Sequence, residues 1–428
     1  MNPDNLENLT PNDLIGIYAD YIDALRCIYQ LTPDNVENTF IKVKDILLNK
    51  YKFDIDNIFP IVVRALYLRD SYMKSYLQLY DLINSLDNYE HLRRNVYRFK
   101  DIITAIENNE IITNDQYFEL YKPNSIFNAI MNDDVTTLAY ITNQPDFNIN
   151  ITIEKDFFGK NSNINLLEAC SYYGSEKCYL YLRENNNFEP SNLSIALSFL
   201  GGNPRIINES LPLIEEDNLD KCAEYVIASH NIDFLIYLIN NFELSKMVLD
   251  HMIRHMCHYC NLEALLIFLN FGLINEFVYL IYRFSNDDLA LYFFKKFKES
   301  AIKRFPIFSA MQDRLSKTVK YAIECGFNIE ETNDIQKGIL HYAAEYDLKE
   351  IVELAMSRKL DINKKDDNGY TPLHYGVRTG KDMVGLLISY GADVNAKTNR
   401  NQTPLILAHG NKDIVEILVS HGAVVNKK

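Results

Sequence analysis

Hydrophobic and polar positions are arranged in blocks along residues 366–395, and the blocks predict two short helices joined by a turn. Thr371 is followed by Pro372, the arrangement expected at a helix N-cap and at the first helical position. Gly380 is expected to stop this helix, an apolar run begins a second one, and Gly391 supplies the residue of positive φ that ends it. Such a pair buries only one face of each helix, so it needs neighbouring copies for stability.

Copies of this unit flank it at a nearly constant spacing. The step from His341 to His374 and the step from Thr371 to Thr403 differ in length by a single residue. This period, together with the sequences TPLH and GADVN, resembles the ankyrin repeat, most clearly over residues 333–426. The resemblance implies an all-α fold, a solenoid of stacked helix pairs with short β-hairpin turns. It also implies that the two histidines hydrogen-bond the turns of neighbouring repeats.

A weaker form of the same pattern precedes these repeats. Its turn residues Gly174, Gly202, Asn231 and Asn261 follow one another at steps that each lengthen by one residue, and this near-constant spacing indicates continuous stacking. We count about ten units in all. The predicted parts are a helical N-terminal domain (1–122), degenerate ankyrin-like repeats (123–332) and clear ankyrin repeats (333–428).

The N-terminal domain has its own helix signals. Thr10 with Pro11 and Thr32 with Pro33 each predict a helix start, and apolar residues then recur at every third and fourth position. Amphipathic helices of this kind pack through one face. We therefore expect a helical bundle that caps the N-terminal end of the array, where apolar surface would otherwise be open.

An insertion interrupts the repeats at about residues 144–165. Inside it Phe147, Ile149, Ile151 and Ile153 alternate with polar residues, and this period of two predicts a strand. We expect an extended hairpin that stands off the array. Long insertions often lie on the binding face of such arrays; a hairpin that folds back on neighbouring repeats is the alternative.

A wider resemblance covers nearly the whole chain. The helical N-terminal region, the eroded repeats containing SFLGGNP and SHNIDFLIYL, and the clear terminal repeats resemble a large family of protozoan ankyrin-repeat proteins. In that family the N-terminal and middle region is a domain of unknown function. The resemblance therefore brings no known activity.

Two features of the C-terminal repeats stand out: a shortened repeat and an edge of apolar residues. The step from Gly380 to Gly391 is one residue shorter than the pattern requires, so we expect the second helix of that repeat to lack one position. Such a loss turns later core residues outward by about 100 degrees unless the loop absorbs it. We also expect Ile414, Ile417 and Leu418 to lie near an open edge, which is the candidate surface for self-association.

Charge and cysteine usage narrow the class of protein. A formal net charge of -15 opposes nonspecific binding to nucleic acid or to an acidic membrane. Seven cysteines without framework spacing indicate reduced thiols in a cytoplasmic protein, and the first residues lack a signal-peptide pattern. The apolar stretch 264–282 is interrupted midway by polar residues, so we interpret it as two buried helices rather than a membrane span.

The segment 251–260, HMIRHMCHYC, is the main candidate for chemistry because imidazole and thiolate groups bind zinc. On a continuous helix its histidines lie within about 60 degrees of one another, with its cysteines on the opposite side. One ion cannot reach both sets, so we expect no metal, no cofactor and no catalytic residue. A metal-binding or enzymatic protein stays as an alternative, with the candidate ligands His251, His255, Cys257, His258 and Cys260.

These observations lead to the hypothesis of a non-enzymatic protein–protein interaction scaffold. By resemblance to other ankyrin repeats, contacts with another protein come from the hairpin tips and from the inner, concave side of each first helix. Carried onto this sequence, the predicted partner-binding residues are Asp334, Lys337, Glu345, Tyr346, Asp367, Asn368, Tyr370, Arg378, Thr379, Asn399, Arg400 and Gln402. A structural homo-oligomer formed through the C-terminal edge is a further alternative.

Overall fold

The computed structural model describes residues 9–86 except 52, 54, 70 and 71, residues 125–274 except 158 and 159, and residues 286–424 except 299, 300, 302–304 and 409. The chain divides into two compact units. The first is Thr10–Leu273, and the second is formed by Ile274–Lys428 together with Met1–Leu9. Regular structure in the described residues is almost entirely helical, which confirms the predicted all-α class.

Helices fill the N-terminal part of the first unit. They are α1 (Pro11–Ile17), α2 (Ala19–Tyr29), a 3₁₀-helix (Pro33–Asn35), α3 (Val36–Lys42), a π-helix (Val43–Lys50), α4 (Ile55–Leu68) and α5 (Met73–Asn84). Both predicted threonine starts are confirmed. Thr10 Oγ1 accepts a hydrogen bond from the backbone N–H of Asp13 at 3.2 Å, and the Asp13 carboxylate accepts one from the N–H of Thr10 at 2.8 Å. Residues 87–122 of the predicted N-terminal domain lie outside the described residues.

These N-terminal helices contact repeats well beyond the first one. Arg26 on α2 forms an ion pair with Glu263, and Tyr29 stacks on His230 with ring centroids 4.3 Å apart. Helix α1 also packs against the helix Leu262–Asn270. The bundle therefore packs along the side of the repeats in this unit, whereas the sequence predicted only a cap on their N-terminal end.

The other helices described in the first unit form pairs. They are α6 (Ile126–Met131), α7 (Val135–Thr142), α8 (Leu166–Tyr173), α9 (Glu176–Asn186), α10 (Asn192–Gly201), α11 (Pro204–Ser210), α12 (Glu216–Ala228), α13 (Ile232–Asn241), α14 (Lys246–His258) and α15 (Leu262–Asn270), with a 3₁₀-helix (Leu211–Leu213) after α11. The first helices of successive pairs, α8, α10, α12 and α14, pack directly against one another. The degraded sequence pattern in this region therefore does mark helix–turn–helix units.

One residue of positive φ follows the first helix of each of these pairs. Gly202 has a φ of 69°, and His230 and Cys260 adopt 55° and 52° at the same place in the next two pairs. A non-glycine residue in this conformation costs about 1–2 kcal/mol. The predicted turn residues Asn231 and Asn261 lie one position later, where their Oδ1 atoms cap the second helix at 3.3 and 3.1 Å.

The insertion contains an antiparallel hairpin, β1 (Ile153–Phe157) and β2 (Lys160–Ile164), in which Ile153 pairs with Ile164. A hairpin is thus confirmed, but of the strand expected over residues 147–153 only Ile153 lies in β1, because turns occupy the residues before it. Asn148 explains the difference: its Oδ1 accepts a hydrogen bond from the backbone N–H of Asn150 at 3.1 Å, which favours a turn. The paired isoleucines are buried, so they anchor the base of the hairpin.

The described helices of the second unit are α16 (Asp287–Lys296), α17 (Ile307–Gln312), α18 (Ser316–Glu324), α19 (Ile339–Glu345), α20 (Lys349–Ser357), α21 (Pro372–Gly376), α22 (Lys381–Ser389), α23 (Pro404–Leu407) and α24 (Lys412–Ser420). Thr371 and Pro372 occupy the predicted N-cap and first helical position, and Gly391 has the predicted positive φ, 89°. An isolated β-bridge joins Thr332 and Gly338 at the base of one hairpin turn.

The 371–395 repeat is one residue short, and the segment before its second helix is the part that is shortened. First helices α19, α21 and α23 shorten from seven to five to four residues, whereas second helices α20, α22 and α24 all have nine. The expected loss of a position from the second helix is therefore wrong. Met383, Val384 and Leu387 remain fully buried, because a non-helical loop does not carry helical phase forward. The first helix ends at Gly376, before Gly380, which was expected to stop it.

The apolar stretch 264–282 begins inside α15, which ends at Asn270. Residues 275–282 lie outside the described residues. Among the helices that the structure does describe, none combines the length and the apolar character needed to cross a membrane.

Burial of His230 makes the stability of the first unit depend on pH. Its Nε2–H donates to the carbonyl of Tyr259 at 2.9 Å, and burial lowers its pKa to about 3. The unfolded chain takes up a proton near pH 6.5 and the folded chain does not, so stability falls as the pH drops below 6.5. We expect this residue to remove about 2 kcal/mol between pH 6.5 and pH 5.

Urea titrations of the wild type and of His230→Asn at pH 7 and pH 5 check this expectation. Asparagine tolerates positive φ and does not titrate, so the comparison isolates the pH dependence that His230 contributes. The wild type should therefore lose more stability on acidification than the variant. An equal loss in both proteins would contradict the assignment to His230.

Candidate partner-binding face

Three hairpin turns of the second unit are built in the same way. In each turn a side-chain oxygen accepts a hydrogen bond from the backbone N–H four residues later, at 2.9, 2.8 and 3.2 Å. The accepting residues are Asn333, Asp366 and Thr398. Their spacing equals the repeat period, so the turns share one shape and recur along the array.

Successive turns are hydrogen-bonded to one another at their tips. The backbone N–H of Asp367 donates to the carbonyl of Ile335 at 3.1 Å, and that of Asn399 donates to the carbonyl of Asn368 at 3.0 Å. Asn399 Nδ2 also donates to the carbonyl of Asp367 at 2.8 Å. We call residues 334–336, 367–369 and 399–401 the tip rim. These bonds make the rim one continuous and restrained edge.

Two buried histidines hold each repeat to the next turn. Nε2–H of His341 donates to the carbonyl of Tyr370 at 3.2 Å, and that of His374 donates to the carbonyl of Gln402 at 3.1 Å. In both residues Nδ1 accepts a hydrogen bond from the backbone N–H three positions earlier. Burial lowers the pKa of both rings, which favours this neutral form. The predicted role of these histidines is confirmed.

An aromatic row crosses the first helices of this unit. Phe308 stacks on Tyr342 with centroids 4.7 Å apart, Tyr346 lies nearly parallel to Tyr342 at 6.2 Å, and Tyr370 meets Tyr375 at 5.5 Å. Tyr342 is buried, whereas the other four rings are partly exposed. We call these five residues the aromatic row. It places several large rigid side chains within reach of solvent.

Hydrogen bonds restrain the tyrosines of the row. The hydroxyl of Tyr375 donates to Asp366 Oδ2 at 2.7 Å, and burial together with this bond raises its pKa. The hydroxyl of Tyr370 donates to Gln402 Oε1 at 3.4 Å. Because these rings are already restrained in the free protein, contact with a ligand would cost little of their side-chain entropy.

Lys337 occupies the space between two rings of the row. Its Nζ lies 4.4 Å from the ring centre of Tyr342 and 4.3 Å from that of Tyr375, and it forms an ion pair with the carboxylate of Glu345. Only 8% of Lys337 is exposed. Lys337, which was predicted to contact a partner, thus interacts within the protein instead, and its ammonium group links two repeats.

The other predicted contact residues all present part of their surface to solvent. Exposed residues are Asp334, Asp367, Asn368, Arg378, Asn399 and Arg400, and partly exposed residues are Glu345, Tyr346, Tyr370, Thr379 and Gln402. Thr379 Oγ1 also donates to the carbonyl of Ala344 at 2.6 Å, a bond between repeats. The binding role of the whole set stays a prediction.

Three members of the aromatic row are missing from the predicted contact set: Phe308, Tyr342 and Tyr375. The sequence does carry a signal for them, because they follow one another at the repeat period to within one residue. Equivalent positions on successive first helices are neighbours in a stacked array. Aromatic residues at three successive equivalent positions therefore indicate a row of rings, in which Phe308 contacts Tyr342 directly and Lys337 lies between Tyr342 and Tyr375.

The C-terminal edge exposes apolar side chains. Ile406 occupies the position that His341 and His374 hold in the two preceding repeats. Its side chain cannot donate a hydrogen bond, and the residue is 45% exposed. Val419 and Val424 are 43% and 63% exposed. Ile414 and Leu418, expected near the open edge, instead face the interior. Self-association through this edge stays a prediction.

The histidines of the segment 251–260 contact a neighbouring helix. His251 Nδ1 lies 3.1 Å from the carboxylate of Asp220, and His255 Nδ1 lies 4.0 Å from that of Glu224, both on α12. The helix ends at His258, so Cys257 lies on α14 and Cys260 lies in the turn that follows; both cysteines are buried. Among the side chains that the structure describes, no group of three or more His, Cys, Asp or Glu residues is placed to hold a metal ion.

Comparison with protein families agrees with this geometry. Residues 307–398 and 340–428 match the family model for ankyrin repeats, in three copies, and residues 186–268 match a domain of unknown function, DUF3447. The stacked helix pairs, the tip rim and the histidine bonds of the second unit are thus those of ankyrin repeats. The chain contains ankyrin repeats and a DUF3447 domain. The likeness to a protozoan family in particular stays a prediction.

Curated relatives match a small part of the chain. Delta-latroinsectotoxin-Lt1a of Latrodectus tredecimguttatus is 41% identical over 81 residues, 18% of this chain and 7% of the toxin. An ankyrin repeat protein of fowlpox virus, FPV233, is 43% identical over 70 residues, 16% of this chain and 14% of the relative. Ankyrin repeat protein OPG189 of monkeypox virus is 42% identical over 69 residues, 15% of this chain and 12% of the relative. The chain spans less than a fifth of the length of each.

Proposed function

We propose that this chain is a non-enzymatic scaffold that binds another protein through the first helices and the tip rim of its second unit. Ankyrin repeats are in general protein-binding modules, and the family matches support that class of function. None of the seven cysteines forms a disulfide, which supports a reducing compartment, and we assign the scaffold to the cytoplasm.

The observation that carries the proposal is the aromatic row. Tyrosine is among the residues that contribute most to binding free energy at interfaces, because it offers a large contact area with few rotatable bonds. Here the rings are restrained by stacking and by hydrogen bonds before any partner arrives. Arg378 lies exposed after α21, beside the row in sequence, and arginine shares this preference for interfaces.

Affinity capture from a lysate of the source cell tests the proposal. Tyr370→Ala with Arg378→Ala should reduce retention of the partner tenfold or more, since each truncated anchor costs roughly 1–2 kcal/mol of binding free energy. The matched control is Tyr390→Ala with Arg358→Ala, which removes the same two residue types from exposed positions directly after the second helices α22 and α20.

Urea titration of each variant separates lost binding from lost folding. The proposal requires that the control retains the partner and that the Tyr370 and Arg378 variant loses it while its unfolding midpoint is preserved. Equal retention by the wild type and both variants would exclude this face as the binding surface.

A further inference from the structure

The tip rim carries charged side chains that the protein leaves unneutralised. Asp334, Asp367 and Arg400 are exposed, and within the described residues none of them forms an ion pair. Nearby charges are treated differently: Lys337 is paired with Glu345, and the Asp366 carboxylate accepts hydrogen bonds within its own turn. The three rim charges are therefore available to a ligand.

These charges occur in a defined order. Asp334 stands on the first tip, Asp367 on the second and Arg400 on the third, and the tips are hydrogen-bonded in that sequence. The rim thus presents two negative charges followed by one positive charge along a restrained edge. Such an edge favours a ligand whose charges follow the opposite order, and it disfavours one with a single sign throughout.

The overall charge of the molecule does not account for this selectivity. The unit Thr10–Leu273 contains 36 acidic and 21 basic residues, whereas the remaining residues contain 22 of each. The negative net charge of the chain thus resides in the first unit, and the sequence that carries the rim is balanced. Recognition at the rim depends on the local order of charges rather than on a net field.

We infer that the rim binds an extended peptide segment with two basic residues followed by one acidic residue, aligned with Asp334, Asp367 and Arg400. This inference rests on the proposed function and names the chemistry of the partner. Packed repeats are about 10 Å apart, and an extended chain advances about 3.3 Å per residue. The three charged residues of the segment are therefore spaced about three residues apart.

Panning a library of random dodecapeptides on the immobilised full-length chain tests the inference without knowledge of the partner. We expect enrichment of peptides with two basic residues and one acidic residue at intervals of about three. Fluorescence anisotropy then measures the affinity of the best peptide. Asp334→Lys with Asp367→Lys should weaken it about tenfold or more, and Arg400→Glu should also weaken it.

A charge exchange gives the sharpest readout. When the two basic residues of the peptide are replaced by glutamate, binding should be lost on the wild type and regained on the Asp334→Lys, Asp367→Lys variant. Glu353→Lys, at an exposed position of the second helix α20, is the matched control and should leave the affinity of the original peptide unchanged.

Failure of the inference is distinguishable from failure of the proposed function. If no peptide is enriched, if the enriched peptides show no charge order, or if the rim variants bind them as the wild type does, the inference is overturned. Enriched peptides without charge order that are lost on the Tyr370 and Arg378 variant would leave the proposed function standing and refute only the order of charges that we infer for the ligand.

Discussion

Replacing Gly201 with alanine is expected to destabilise the first unit by about 3 kcal/mol or more. A Cβ atom at this position would lie 2.1 Å from the carbonyl oxygen of Ser171 and 2.7 Å from the backbone nitrogen of Gly174. Both are backbone atoms, so no side-chain rotation relieves the overlap. Helices α8 and α10 would have to move apart, although their contact includes the hydrogen bond between Ser171 and Ser194 at 2.8 Å.

The matched control for this variant is Gly16→Ala in helix α1. A Cβ atom there meets nothing within 4 Å, so alanine should stabilise the same unit by about 0.5–1 kcal/mol through its helix propensity. Urea titration followed by circular dichroism measures both variants. Opposite signs are expected; similar small shifts for the two would show that the helices tolerate a methyl group at Gly201.

Replacing Gly369 with alanine should destabilise the second unit by about 2–4 kcal/mol. Gly369 has a φ of 77°, and a Cβ atom would lie 2.7 Å from the backbone nitrogen of Asn399 and 2.6 Å from its Oδ1. The substitution thus combines backbone strain with an overlap at the centre of the tip rim. It should also break the bonds from Asn399 to the preceding tip.

Gly385→Ala serves as the control for Gly369→Ala. Gly385 lies inside helix α22 of the same repeat, where an added Cβ meets nothing within 4 Å, and alanine should stabilise this helix by up to about 1 kcal/mol. Thermal or urea unfolding followed by circular dichroism compares the two. A midpoint for Gly369→Ala equal to that of the wild type would mean that the tips separate without cost, and the rim would then not be a restrained edge.

Local signals in the sequence predict most of the helices and their caps. Thr10 and Thr371 were predicted as helix caps from their own residue type and the proline that follows, and the structure confirms both. The bonds made by His341 and His374 are those that the resemblance to the ankyrin repeat implies. These predictions succeed because capping and repetition depend on residues close in the chain or at one fixed spacing.

Predictions that depended on how a loop runs between two elements were less accurate. The strand was placed on the alternating residues near Phe147, whereas an asparagine side chain turns that segment and the hairpin begins at Ile153. The shortened repeat was expected to disturb its second helix, but α21 lost residues instead and Met383 stayed buried. In the first case a side chain hydrogen-bonds the backbone and favours a turn, and in the second a loop takes up the missing residue. The periodicity of the sequence alone predicts neither outcome.

The candidate site shows the same division. From the sequence come the repeat period, the helix pairs, the positions of the tips and the identity of the charges on them. Only the tertiary structure decides which charges stay available: Lys337 is enclosed by two tyrosines and Glu345, whereas Asp334 is exposed and forms no ion pair within the described residues. Tyr375 reaches Lys337 from the next repeat. Whether a side chain is satisfied internally depends on neighbours about one repeat away, and packing brings them together.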